Sequence, residues 1–276
     1  MNKQSSSRRN DPPDGGNTRE LPEEARADYV RRIQAYMAKA LKEAKLNTSW
    51  VQPNEPWDSA MAEFVARILD RSPKNRFLES FLPFAEEVAR AGAINALTQT
   101  LLKLTAPGVP DIYQGNEIWD FSLVDPDNRR PVDYEKRVRM LDSLGKVTPE
   151  DLLANWRDGR IKLFLTQRLL NFRREENALF ARGSYVPLEV TGEFAGCCIA
   201  FAREYQDRSI VVLAPRLTMR IGFPPIGHLW RDTTVQLPKS AELCSDLFTG
   251  AAMEAVPSLP LAQAFARLPF AVIAPA

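Results

Sequence analysis

One stretch constrains this chain more than any other: Leu104 to Tyr134, reading LTAPGVPDIYQGNEIWDFSLVDPDNRRPVDY. A helical pattern runs into it and is expected to stop at Ala106, because the residue before Pro107 is pushed out of the α region and Gly108 frees the backbone to turn. Val109 to Gln114 then predicts a short strand, apolar, β-branched and aromatic, with Pro110 at its entry where a missing donor costs least. Beyond it a long loop gathers Glu117, Trp119, Asp120, Asp125, Asp127, Asn128, Arg129, Arg130 and Asp133. Planar donors, carboxylate acceptors and an aromatic face at that density suit a hydroxyl-rich ligand.

Helices surround this stretch. Pro22 followed by Glu23 and Glu24 starts one as the helix dipole favours, and Tyr29, Ile33, Tyr36, Met37, Ala40, Leu41 and Ala44 share a face expected to be core. The segment NTSWVQPNEPW breaks the pattern and sets Trp50 and Trp57 in a loop, where packing is the ordinary role and a sugar platform the alternative. Further helices are expected at Asp58 to Leu69, at Phe77 to Leu82, from Pro83 to Thr105, at Asp133 to Leu144, at Pro149 to Trp156 and at Arg160 to Asn177. Helix, tight turn, apolar strand, functional loop and helix is the grammar of a β/α unit.

From Gly183 the period changes. Runs at Tyr185 to Val190, Cys197 to Arg203, Ser209 to Ala214, Thr234 to Leu237, Ser245 to Thr249 and Phe270 to Ile273 predict a small antiparallel β domain. The expected organisation is a polar, disordered tail over 1–21, a mostly helical part over 22–182 and a β domain over 183–276. No internal repeat is visible.

Composition then excludes several classes. A net charge of +1 leaves no basic stripe for nucleic acid. Cys197, Cys198 and Cys244 are an odd set, and two are adjacent, which fits reduced thiols in a cytoplasmic compartment. The single histidine, His228, is expected to be structural or at the surface, and no metal or other cofactor is expected. There is no P-loop or GxGxxG run, no apolar run long enough for a membrane span, and no signal-peptide core.

The organising stretch resembles the segment around the eighth barrel strand of the maltooligosyltrehalose synthases, a branch of the α-amylase clan. PDIYQGNE alone would indicate only the clan, whereas its continuation through DPDNRRPVD narrows the resemblance to this branch. AKLNTSWVQPNEPW, ARAGAINALTQTLLKLTAPG and the terminal LPFAVIA are similar too, so the resemblance covers roughly residues 22 to 276. It implies an α/β fold: the last unit of an incomplete (β/α)8 barrel with its helices, followed by a small antiparallel β-sandwich. It also implies a family that isomerises the reducing-end α-1,4 bond of a maltooligosaccharide to an α,α-1,1 bond.

A retaining mechanism needs two carboxyl groups about 5 to 5.5 Å apart. The resemblance implies that these, and a third carboxylate, come from barrel strands four, five and seven, which precede the part that this chain matches. No residue here is therefore expected to be catalytic, and the missing amino-terminal barrel portion is an expected partner. Asp111, Glu117 and Asp120 are the nearest internal substitutes. The expected substrate-binding residues are Tyr113, Gln114, Glu117, Trp119, Asp120, Asp127, Asn128, Arg129 and Arg130. Within that set Trp119 is expected to be exposed for stacking on a pyranose, and one of Arg129 and Arg130 to brace Asp127 or Asp133. Charge-dense loops most often serve their own structure, so a non-catalytic glucan-binding module or an inactive remnant is the alternative.

Overall fold

The computed structural model describes residues 22–238, 244–253 and 256–275, and the expected tail over 1–21 lies outside them. Helices come first: α1 (Glu23–Ala44), α2 (Glu55–Ile68), α3 (Arg76–Thr105), α4 (Tyr134–Ser143), α5 (Pro149–Ala154), α6 (Arg160–Glu175) and α7 (Asn177–Arg182). Strands follow: β1 (Ser184–Pro187), β2 (Val190–Thr191), β3 (Cys198–Tyr205), β4 (Arg208–Pro215), β5 (Thr234–Gln236), β6 (Cys244–Asp246), β7 (Ala252–Met253), β8 (Ser258–Pro260), a short α8 (Leu261–Ala264) and β9 (Ala271–Pro275). They form a six-stranded sheet in the order β1-β3-β4-β9-β6-β7 and a three-stranded sheet in the order β2-β5-β8, with antiparallel pairing throughout.

Contacts divide the chain into two compact units that differ from the division expected near residue 182. The first holds residues 22–89 and Asp120–Asp133; the second holds Arg90–Trp119 and the described residues from Tyr134 onward.

In the first unit α1 packs on α2, with Gln34 Nε2 donating to Ala62 O at 2.8 Å. Asn54 caps α2, accepting from Trp57 N at 3.3 Å, and Pro56 fits the first turn because its missing N–H would be unpaired there anyway. Sequence periodicity placed a core on α1, yet none of its residues is buried. Packing on α2 leaves that face only half covered, as the intermediate exposure along α1 shows. Val65 and Leu78 are the only buried apolar residues among those described in the unit. Trp50 and Trp57 are exposed, which corrects the packing expectation, and Trp57 lies in α2 rather than a loop. Helix α3 carries Pro83 inside it without the expected break.

The second unit is organised by its six-stranded sheet, whose residues alternate between two faces. Phe201, Ile210, Val212, Phe270 and Val272 join Leu97, Leu101, Leu104, Leu152, Ile161, Leu165 and Leu169 of the helices in one core. Ala200, Ala202, Val211, Leu213, Ala271 and Ile273 face the other way, with Trp230, Val235, Leu259 and Phe265. Helices α3 to α7 thus share a core with the sheet, which is why the division falls elsewhere than residue 182.

The expected strand Val109 to Gln114 is not one: the described residues before Ser184 contain no strand. Its side chains have strand propensity, but a strand exists only through ladder bonds to a neighbour, and none lies beside it. The three cysteines are free, with Cys197 and Cys198 buried; burial pushes the Cys198 thiol up to about 12, in keeping with an inert packing role. His228 is exposed.

Candidate functional site

The nine expected substrate-binding residues divide between the two units. Tyr113, Gln114, Glu117 and Trp119 belong to the second, and Asp120, Asp127, Asn128, Arg129 and Arg130 to the first.

In the second unit the chain leaves α3 at Thr105 and turns at Gly108, whose φ of +121° is a conformation that only glycine adopts without strain. Val109 is 97% exposed, and Asp111, Tyr113 and Gln114 are exposed as well. The next turn is clamped from α4: Arg137, buried, donates Nη2 to Gly115 O at 2.9 Å and Nε to Glu117 Oε2 at 3.1 Å, while Tyr134 donates its hydroxyl to Gln114 Oε1 at 2.8 Å. Glu117 therefore acts first as a partner for a buried cation.

Trp119 corrects the stacking expectation. It is only 7% exposed, lies in the core and donates Nε1 to Trp156 O at 2.7 Å. Lys162 closes over it, its ammonium 5.9 Å from the ring and bonded to Ile118 O at 3.1 Å. Gly159, at φ +83°, lets this happen, because a Cβ there would sit 3.0 Å from Ile118 Cβ and 3.3 Å from Trp119 N. The ring is an anchor for the loop, and no face of it is open to a sugar.

In the first unit Asp127 is the hub of the loop. Arg32 of α1 grips it as a fork, Nε to Oδ1 and Nη2 to Oδ2 each at 2.9 Å, and also donates Nη2 to Phe121 O at 2.8 Å. Leu123 N donates to Asp127 Oδ2 at 2.7 Å, and Arg130 Nε approaches Asp127 O at 3.0 Å and Oδ1 at 3.2 Å. Partial burial pushes this carboxyl upward, but the Arg32 fork, the Leu123 N–H and the charges of Arg32 and Arg130 outweigh it, leaving Asp127 below the ordinary carboxylate range. Lys39, two helical turns after Arg32, donates to Asp125 O at 2.8 Å, and Asp125 pairs with Arg129. Asp120 accepts from Ser122 N at 2.9 Å. Asn128 is exposed within the 3-10 turn Asp127–Arg129.

Of the two arginines, Arg130 is the one that braces Asp127, whereas Arg129 is exposed. Sequence reading missed Arg32, Lys39 and Arg137, which hold the loop. Each also has a carboxylate within one helical turn, Asp28 for Arg32, Glu43 for Lys39 and Asp133 for Arg137, so local pairing masked the distant role. Among the described residues no group of three His, Cys, Asp or Glu could hold a metal, and no helix is long and apolar enough to cross a membrane.

No family model matches the chain. Individual proteins do, and they are carbohydrate-acting enzymes matched only over their carboxyl-terminal portions. They are maltooligosyltrehalose synthases. The structure of maltooligosyltrehalose synthase from Arthrobacter ramosus is 32% identical with a TM-score of 0.74, over 89% of this chain and 30% of that one. A second crystal structure of a maltooligosyl trehalose synthase is 29% identical with a TM-score of 0.69, over 90% of this chain and 30% of the other. A Mycobacterium tuberculosis protein that provisionally carries the same name is 34% identical over 242 residues, 88% of this chain and 28% of the relative. The chain is thus similar to the carboxyl-terminal portion of maltooligosyltrehalose synthases, and spans about 28% of the length of the curated relatives it matches.

Proposed function

We propose that the chain acts as the carboxyl-terminal portion of an intramolecular transglycosylase, which converts the reducing-end α-1,4 bond of a maltooligosaccharide to an α,α-1,1 bond in trehalose formation. The observation that carries this reading is the coincidence of 32% identity with a TM-score of 0.74 over 89% of the chain, confined to 30% of the longer enzyme. The partner is then the amino-terminal barrel portion, in the same polypeptide or another, bringing the catalytic carboxylates. With it present, Val109 to Gln114 becomes the eighth barrel strand, and the two antiparallel sheets form the closing sandwich. The exposed apolar side chains of that segment, Val109 and Tyr113, support this, since they carry strand propensity with no ladder partner among the described residues.

Among the loop residues we assign sugar contact to Tyr113, Gln114, Asp120, Asn128 and Arg129, which are exposed. Glu117, Trp119, Asp127 and Arg130 are assigned to holding the loop. The reaction needs no cofactor in this reading, and its setting is the cytoplasm.

The test is to express the chain with and without the amino-terminal portion of a maltooligosyltrehalose synthase and follow loss of reducing ends from maltopentaose. Activity is expected only with both. Turnover by the chain alone would overturn the reading and turn attention to Asp111, Glu117 and Asp120; no turnover with both, despite a soluble complex, would favour a non-catalytic glucan-binding module.

A further inference from the structure

A cavity of about 520 Å3 opens in the second unit where α3 ends and α6 passes into α7. Helix α6 closes at Glu175, and Glu176, at φ −98° and ψ 37°, redirects the chain into α7. That bend sets Arg173 and Arg174, in the last turn of α6, beside Asn177 and Phe180, which share a face of α7 at a spacing of three. Gly108, Val109 and Ala181 complete the lining.

The charge balance of this place is unusual. Arg173 donates Nη1 to Leu104 O at 2.7 Å and makes one long contact, Nη2 to Gly108 O at 3.4 Å, while its guanidinium lies 4.6 Å over the Phe180 ring. Its remaining N–H donors are uncommitted, and among the described residues neither Arg173 nor Arg174 has an ion pair. Arg203 lies close enough for the Arg173 charge to act on it; it is fully buried, and its bonds go to the backbone carbonyls of Thr105, Leu179, Phe180, Gly183 and Ser184. Burial, and for Arg203 the neighbouring Arg173 charge as well, holds both guanidinium groups below their ordinary range. Helix carbonyl ends supply only partial negative charge. Two cations, Arg173 and Arg203, thus lie close together with no ion pair among the described residues, and Arg173 borders an open cavity that Arg174 also lines.

We propose that this cavity is a binding site for a phosphate monoester of about hexose size, its phosphate held by Arg173 and Arg174 and its body lying against Asn177 and Ala181. Two planar guanidinium forks match a dianion with three equivalent oxygens better than they match a single carboxylate. The volume exceeds what inorganic phosphate needs and falls in the range of small-molecule sites, so an organic body is part of the fit. The Asn177 amide and the Ala181 methyl, both exposed, supply polar and apolar contact to that body, while the buried Phe180 ring backs Arg173. This site is separate from the loop assigned to sugar turnover and does not depend on that assignment.

The experiment is isothermal titration and thermal shift of the chain with glucose 6-phosphate, inorganic phosphate, inorganic sulfate and glucose, at about 0.15 M salt so that loose surface attraction is screened. Saturable binding is expected for glucose 6-phosphate, weaker binding for inorganic phosphate, and none for glucose. Arg174→Gln, which removes an exposed group with no ion pair among the described residues, should leave the unliganded melting temperature unchanged and weaken glucose 6-phosphate roughly tenfold or more. Ala181→Trp, which fills the cavity and keeps both guanidinium groups, should abolish binding; binding that survives it belongs to a charged surface and overturns the site. No saturable binding of either phosphate compound, or unchanged affinity in Arg174→Gln, overturns it as well. Equal affinity for inorganic phosphate, inorganic sulfate and glucose 6-phosphate refutes the ester and leaves a general anion site.

Discussion

Helix α3 belongs to one unit up to Ala89 and to the other from Arg90, and its two stretches treat their apolar residues differently. Phe77, Phe81, Phe84 and Val88 recur at helical spacing and are each at least 41% exposed; Leu97, Leu101 and Leu104 recur at similar spacing and are at most 2% exposed. Periodicity is the same in both. What differs is whether something faces the stripe: in the second unit a six-stranded sheet does, and in the first α1 and α2 leave Trp57, Phe64 and Tyr36 exposed as well. Spacing decides which residues share a face, and burial needs a second surface to receive it.

The largest expected effect tests that contrast directly. Leu101→Ala should cost about 3 to 5 kcal/mol in denaturant unfolding of the second unit, because a filled core position becomes a cavity. Phe84→Ala, although it removes a larger side chain, should cost less than about 0.5 kcal/mol. A cost for Phe84→Ala of the Leu101→Ala size would show that the exposed stripe is covered in solution.

Next comes Arg203. Arg203→Met should destabilise the second unit by about 2 to 4 kcal/mol, since the buried carbonyls of Thr105, Leu179, Phe180, Gly183 and Ser184 lose their donors together. Hydrogen exchange read at the ends of α3 and α7 should show the loss there first. A neutral effect would mean that the five bonds merely offset the cost of burying the charge.

A smaller effect belongs to the first unit. Asp127→Asn breaks the Arg32 fork and should cost about 1 to 3 kcal/mol, confined to the loop 120–133 and its contacts with α1. The pH dependence has a definite sign. The folded value of Asp127 is lowered, so its contribution is fully present above the unfolded carboxylate value near pH 4 and is lost as pH falls through the lower folded value. Loop protection in the parent chain should therefore fall in that acid window, and Asp127→Asn should flatten the fall.

Several of these features were legible in the sequence. The runs expected at Cys197 to Arg203 and Ser209 to Ala214 fall on β3 and β4, whereas which residues face which core was not legible, because both faces of these strands are apolar. The end of α3 at Thr105 followed from Pro107 and the turn at Gly108, whereas the cap at Asn54 was missed and α2 begins ahead of the expected Asp58. The strand at Val109 to Gln114 was legible only as propensity, because pairing is a property of the neighbour. Trp119 was misread because the carboxylates around it suggest an open site, whereas its fate is set forty residues on by Gly159, whose missing Cβ admits the ring, and by the carbonyl of Trp156. Arg203 could not be read at all: its partners are backbone carbonyls, and every sequence offers those everywhere.

The smallest expected effect on stability is also the sharpest test of the loop. Arg129 and Arg130 are adjacent and chemically identical, yet Arg130 is packed against Asp127 and Arg129 is 75% exposed, with a surface pairing to Asp125. A surface ion pair contributes about 0 to 1 kcal/mol, so Arg129→Ala should leave unfolding nearly unchanged while Arg130→Ala loosens the loop. If Arg129 meets the sugar, then in an enzyme reconstituted with its amino-terminal portion Arg129→Ala should lower kcat/KM for maltopentaose by roughly tenfold, about 1.4 kcal/mol of transition-state stabilisation, at unchanged melting temperature. Arg130→Ala should instead lower activity and loop protection in step. An unchanged kcat/KM in Arg129→Ala would remove the sugar contact and reduce the whole ion-paired loop to a scaffold. In that case the difference between the two neighbouring arginines would be one of exposure alone.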